Sequence, residues 1–188
     1  MSGGRTAAVG GAPYFLIESF HQCYGPASSL RAYRAPGRVN LIGEHTDYNL
    51  GYVLPMAIGL DCLALIAPAD ESRLSVFSGN LGEQRRWKLG DIPAATPAGD
   101  WSDYVLGVAR ELVRAGFELE PSNLYVWSYV PAGAGLSSSA ALEVSAARAL
   151  LGPRGMDPRE LARLCRRAEN DFAGVPCGVM DQFVSIFG

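Results

Sequence analysis

Five β-rich stretches follow one another between residues 31 and 89 with no helical pattern among them, and from residue 101 helices take over around one further strand. That order constrains the fold more than any other feature. The stretches 31–40, 52–58, 62–67, 73–78 and 84–89 are divided by clusters of Gly, Pro, Asp and Asn, the usual punctuation between strands. A short helix over 15–24 precedes them, and 91–100 reads as a loop. Trp101, Tyr104, Val105, Val108 and Leu112 then recur at helical spacing, and Gly116 ends the run. A strand over 124–130 is broken by Pro131-Ala132-Gly133-Ala134-Gly135. An alanine-rich helix covers 137–151, and another starts at Asp157, with Pro158 at its first position and Glu160 three residues after the cap. Strands first, then helices returning to the sheet, make an α+β layer architecture.

Several classes of function fall away early. With 48% hydrophobic residues and a net charge of −3, the chain is a soluble globular protein. No basic run stands beside interleaved aromatics, so nucleic acid is not an expected partner. Arg163, Arg166 and Arg167, the densest basic cluster, read as one solvated helix face. No apolar stretch is long enough to span a bilayer, and no membrane partner is expected. Cys23, Cys62, Cys165 and Cys177 form no C-x-x-C pair and have no metal-site spacing, which points to a reduced, cytoplasmic protein. Residues 1–12 read as a flexible leader and 13–188 as the folded unit. The apolar end, Phe183-Val184-Ser185-Ile186-Phe187-Gly188, carries the expectation that the chain is a fragment.

Three segments carry chemistry. Residues 35–47, APGRVNLIGEHTD, set Arg38, Glu44, His45 and Asp47 around a strand-like core of Val39, Leu41 and Ile42. Such groups at the mouth of a pocket can exchange hydrogen bonds with sugar hydroxyls, which both donate and accept. The plain alternative is a polar turn after an edge strand. Residues 131–139, PAGAGLSSS, let a ligand approach the backbone and then place three serines at a helix start, where free N–H groups and the helix dipole favour an anion. The loop is neither a Walker loop nor a dinucleotide fingerprint, and no lysine follows Leu89. The alternative is a serine-capped helix after a glycine turn.

The third segment follows the apolar stripe Leu161, Leu164, Cys165, Ala168 and Phe172. Glu169 lies just off that stripe, so it should be half buried and in need of a cation: Mg²⁺, or Arg166 on the same helix. Asp181 sits between Val179-Met180 and Phe183-Val184. It either caps a helix beginning near Gln182 or is held for chemistry, in which case Arg38 is the arginine to place beside it. Cys177 reads as a small packing residue.

Taken together, APGRVNLIGEHTDYNLGYVLPMAI, PAGAGLSSSAALE and AENDFAGVPCGVMDQF resemble the galactokinases, within the GHMP small-molecule kinase superfamily. The resemblance runs from about Phe15 to Gly188 in the family's order. It implies the GHMP kinase N-terminal fold, of the ribosomal protein S5 domain 2 type, with a mixed sheet and helices packed on one side. It implies ATP-dependent phosphorylation of the anomeric hydroxyl of galactose, with ATP as co-substrate, Mg²⁺ as metal and a monomeric full-length enzyme. Glu44, His45, Thr46 and Asp47 would bind galactose. Gly133, Ala134, Gly135, Leu136, Ser137, Ser138 and Ser139 would wrap the phosphates, with Trp101 and Tyr104 bordering the adenine. Ser139 and Glu169 would hold the metal, and Asp181 and Arg38 would be catalytic. Whether Asp181 takes the hydroxyl proton or only orients it stays open at this level. Galactokinases are about twice this length, so a chain holding only the N-terminal part is expected to have little activity alone. A non-catalytic galactose and ATP sensor is the alternative the resemblance leaves.

Overall fold

The computed structural model describes residues 11–188 except 28, 44, 45 and 50. Its strands are β1 (Arg31–Ile42), β2 (Leu54–Pro68), β3 (Arg73–Ser78), β4 (Glu83–Lys88) and β5 (Ser122–Ser128). They form one mixed sheet in the order β1-β2-β5-β3-β4, antiparallel except for the β3–β5 pair. The helices are α1 (Tyr14–Tyr24), α2 (Ser102–Arg114), α3 (Ser138–Leu151), α4 (Pro158–Arg167) and α5 (Met180–Phe187).

Side-chain alternation along the two central strands divides the core. Ala64 and Ile66 of β2 with Leu124 and Val126 of β5 face one way, against α2, α3 and α4. Leu63, Leu65 and Tyr125 face the other way and receive Leu16, Ile17 and Phe20 of α1, together with Ala12. The helices after the strands therefore lie on one side of the sheet, and α1 crosses the opposite face. Alanines at 140, 141, 146 and 147 are buried, so α3 approaches the strands closely. Fully buried leucines such as Leu65, Leu74 and Leu112 each contribute about 1.5–3 kcal/mol through removal from water.

The two strands expected over 52–58 and 62–67 are one. Gly59 and Asp61, which look like punctuation, belong to an irregularity inside β2: pairing passes from Pro36 opposite Asp61 to Arg38 opposite Ala57. One residue of β1 thus faces three of β2, a bulge that re-aims the side chains after it. A second register shift lies between Asn40 and Ile42. The expected loop over 91–100 begins with a 3₁₀ segment, Leu89–Ala94. Asp157 caps α4, accepting from the amides of Arg159 and Glu160 at 2.9 and 3.2 Å. After α4 the chain makes a π-helical turn, Ala168–Ala173, in place of a continued α-helix. Arg163, Arg166 and Arg167 are all exposed on one face of α4, as expected, and each has a partner there: Arg163 pairs with Glu160, Arg167 reaches Glu111 of α2, and Arg166 donates to the Cys177 carbonyl.

Candidate active site

The bulge in β2 opposite Gly37 sets where β1 places Arg38. Gly37 before it is buried, and a methyl group on its Cα would sit 2.7 Å from the Leu136 carbonyl oxygen, so a side chain there would push the glycine-serine loop away. Without one, the Arg38 amide donates to Leu136 O at 3.1 Å, and the guanidinium donates through Nη1 to Gly135 O at 2.7 Å. The remaining edge of the guanidinium meets Asp181 of α5: Nε to Oδ1 at 2.7 Å and Nη2 to Oδ2 at 2.7 Å. The parallel, charge-assisted fork fixes both partners. Asp181 is the second residue of α5 and caps nothing; the choice between cap and chemistry resolves against the cap.

Asp47 serves as the cap of α5. It lies in a 3₁₀ turn, Asp47–Asn49, and its Oδ2 accepts from the Met180 amide at 3.1 Å, bringing the β1–β2 loop onto the first turn of the helix. Thr46 has a constructive role of its own. Its one hydroxyl proton is shared between the carbonyls of Gly43 and Tyr52, at 2.8 and 2.9 Å, so here it holds the loop together and offers no free donor to a ligand. Glu44 and His45 lie outside the described residues. A cavity of about 480 Å³ opens between Arg38, Asn40, Asp47, Gly135, Cys177 and Asp181.

The glycine-serine loop departs from ordinary backbone geometry at three points. Gly133 and Gly135 have φ of 71° and 70°, and Ser137 has φ of 58°, the one positive value at a non-glycine among the described residues. A left-handed serine carries strain, of the kind that accumulates where a ligand is bound. Its side chain is buried with Oγ unpartnered, and it caps no amide of α3. Residues 131–135 are exposed. A second cavity, of about 370 Å³, runs from this loop past Ser138 and Ser139 to Trp101 and Tyr104. Both aromatics are only partly buried there. An open glycine turn, an orphaned buried hydroxyl and the start of a 14-residue helix fit the phosphates of a nucleotide.

Glu169 stands at the start of the π turn and is 4% exposed. Its Oε2 accepts from Gln182 Nε2 at 2.7 Å and from the Cys177 thiol at 3.2 Å. Burial pushes its carboxyl above the ordinary value, hydrogen bonds from Ser139, Cys177 and Gln182 pull it down, and Asp181 adds repulsion. No salt bridge reaches it among the described residues, and the expected alternative of an intrahelical pair with Arg166 is absent. A buried carboxylate without a cation, beside a serine hydroxyl and at the end of the phosphate cavity, fits Mg²⁺, which takes one or two protein oxygens and completes its shell with phosphates and water. Cys177 is more than packing, since its thiol donates to this carboxylate. Missed altogether in the sequence were Gln182 and Glu143, both fully buried behind Glu169; the one available signal was a glutamate at position four after Ser139 in an otherwise small, apolar helix.

Residues 18–68 match the galactokinase galactose-binding signature, and residues 103–188 match the GHMP kinases N-terminal domain. The galactokinase of Thermosipho africanus is 42% identical over 156 residues, covering 82% of this chain and 42% of that protein. That of Streptomyces coelicolor is 44% identical over 176 residues, covering 89% and 44%. Among solved structures, Lactococcus lactis galactokinase complexed with galactose superposes with a TM-score of 0.85 at 34% identity, over 93% of this chain and 46% of that one. The Methanococcus jannaschii mevalonate kinase, at 23% identity and a TM-score of 0.77, shares the fold. The chain spans less than half the length of the galactokinases it matches.

Proposed function

Because this chain belongs to the galactokinase family of GHMP kinases, matching the N-terminal part of its members, we propose that it provides the sugar pocket and phosphate loop for transfer of the ATP γ-phosphoryl group to the anomeric hydroxyl of galactose. The observation that carries this reading is the three-way junction at Arg38, whose guanidinium holds the Asp181 carboxylate on one edge and the Gly135 carbonyl on another. An acceptor hydroxyl at Asp181 and a phosphoryl group at the glycine-serine loop are thereby brought to one point.

Phosphoryl transfer asks a protein mainly for positioning and charge stabilisation. Each Asp181 oxygen uses one lone pair on Arg38 and keeps another for a substrate hydroxyl, so the carboxylate orients the hydroxyl and accepts its proton as the new O–P bond forms. Arg38 offsets negative charge on the transferred group. Sugar hydroxyls are read by Glu44, His45 and Asp47. The backbone of residues 133–138 and the Ser137 hydroxyl receive the phosphates, and Trp101 and Tyr104 flank the base. Ser139 and Glu169 would hold Mg²⁺, which when bound would supply positive charge to offset that of the phosphates. By itself the chain supplies one wall of this site, and we assign it little turnover alone.

The test has two arms. Calorimetry on the 188-residue chain is expected to detect saturable binding of galactose and of Mg·ATP; binding of neither would overturn the reading. Grafted in place of the matching residues of the Streptomyces coelicolor enzyme, the chain is expected to support galactose-dependent ADP release. Asp181→Asn should lower kcat by about 10³-fold or more, in line with loss of a proton acceptor and its orientation. ADP release indifferent to galactose would point to another acceptor.

A further inference from the structure

Behind Glu169 lies a polar pocket that the proposed chemistry does not use. Gln182 and Glu143 are 0% exposed, and they come from different helices, α5 and α3. The Gln182 amide nitrogen donates to two carboxyl groups, Glu169 Oε2 at 2.7 Å and Glu143 Oε2 at 3.2 Å. The amide cannot be turned over, since its oxygen would then face both carboxyl groups. The outer oxygens, Glu143 Oε1 and Gln182 Oε1, are buried and unpartnered. Among the described residues these two orphaned acceptors lack a donor, and burying an acceptor without one is costly. Burial pushes the Glu143 carboxyl well above its ordinary range, Glu169 adding repulsion and Gln182 partly opposing both. A neutral Glu143 would turn one orphan into a donor. A fully buried polar cluster of this kind is an expensive way to fill a core, and apolar residues would pack there at lower cost.

We infer that Gln182, backed by Glu143, is a positioning residue that holds the Glu169 carboxylate in the one orientation in which it can receive a divalent cation. The inference rests on the reading of Glu169 as a metal ligand. Its logic is steric and directional. Glu169 occupies a π-helical turn, where the spacing of side chains differs from that of α4, and one oxygen is pinned by Gln182 and Cys177. The other oxygen is left for an ion. Without Gln182 the carboxylate loses its shortest hydrogen bond, and that oxygen is held by the longer contact with the Cys177 thiol. Groups in this position behind a metal ligand change metal affinity by about 10–100-fold. Glu143 acts here as a hydrogen-bonding shape rather than as a charge, so an amide in its place should serve equally well.

The experiment is a Mn²⁺ titration of the 188-residue chain, followed by electron paramagnetic resonance in the presence of β,γ-imido-ATP, with thermal melting of each variant. Glu143→Gln is expected to bind Mn²⁺ within about twofold of the unaltered chain. Gln182→Leu and Glu143→Leu are expected to weaken it by about tenfold or more, while leaving binding of the metal-free nucleotide unchanged. Glu169→Gln serves as the reference. A role confined to packing would lower the melting temperature of the leucine variants and leave Mn²⁺ affinity alone. If Glu169→Gln weakens Mn²⁺ but the folded leucine variants do not, the inference is wrong and the metal-ligand reading stands. If Glu169→Gln leaves Mn²⁺ affinity untouched, or the unaltered chain takes up no Mn²⁺, both fall. Should Gln182→Leu fail to fold, Glu143→Leu and Glu143→Gln decide between them, and a tenfold loss in Glu143→Gln overturns the inference.

Discussion

The Asp47 carboxylate occupies the space that a side chain at position 178 would fill: a methyl group on the Gly178 α-carbon would overlap its oxygens. Two loops remote in sequence therefore interlock at a glycine. Gly178→Ala should displace Asp47, remove its acceptor from the Met180 amide and loosen the first turn of α5. We expect a loss of about 1–2 kcal/mol, the size of a lost helix cap, together with a weaker galactose interaction in the calorimeter. Unchanged galactose affinity would show that Asp47 reads no sugar hydroxyl.

Arg38→Lys keeps the charge and loses the fork. A lysine ammonium cannot donate along two parallel lines to Asp181 while also reaching Gly135. In the grafted enzyme, kcat should fall by about 10²-fold or more, with KM for galactose changed far less. Equal losses in both would mean that Arg38 serves ground-state binding.

Ser137→Gly separates strain from function. Glycine adopts φ near 58° freely, so the substitution should relieve about 1 kcal/mol and raise the melting temperature by about 2–4 °C. It also removes the unpartnered hydroxyl, and affinity for Mg·ATP should fall several-fold. A variant both more stable and equally tight for nucleotide would leave Ser137 without a role in the phosphate site.

Burial of Glu143 has a consequence for pH. A carboxyl whose folded-state value lies above its unfolded value binds its proton more tightly when folded. Its contribution is fully present below the unfolded value and is lost as pH rises through the folded one. In metal-free buffer the chain should therefore be harder to unfold with urea near pH 5.5 than near pH 8, and Glu143→Gln should flatten that slope. Asp100 acts in the opposite sense. Hydrogen bonds led by the Ser102 hydroxyl lower its value, so its contribution disappears only in more acid solution.

Thiol chemistry offers an independent reading of the site. Cys62 and Cys165 are fully buried, and burial holds Cys62 up to about 11; neither should react with iodoacetamide in the folded chain. Cys23 is exposed and should react first. Cys177 lines the larger cavity, yet burial and the adjacent Glu169 carboxylate keep its thiol protonated, so it should react slowly despite access. Glu169→Gln should speed it up, as followed by peptide mass mapping.

What could be read from the sequence follows physical range. Strand and helix limits came within a few residues because turn formers, the Asp157 cap and helical spacing act locally. The pairing of Arg38 with Asp181 was also legible, since an aspartate flanked by apolar residues on both sides needs a cation. The fusion of β2 was not, because a bulge and a turn use the same glycine and aspartate, and only the partner strand distinguishes them. Nor was the π turn, whose shifted hydrogen bonds leave no mark in an α-helical periodicity that continues to Phe172. Gln182 and Glu143 escaped notice for a related reason: Gln182 meets Glu143 and Glu169 only once α3, α5 and the π turn have packed.

The junction at Arg38 makes the occupancy of one half of the site legible to the other. A sugar that draws on Asp181 and a nucleotide that shifts the Gly135 carbonyl both act on the same guanidinium. Their binding free energies then contain a shared cross term, equal in both directions by linkage. Under the proposed reading, galactose would alter the affinity for nucleotide by the same factor by which nucleotide alters that for galactose, and removing the shared side chain should bring that factor to one.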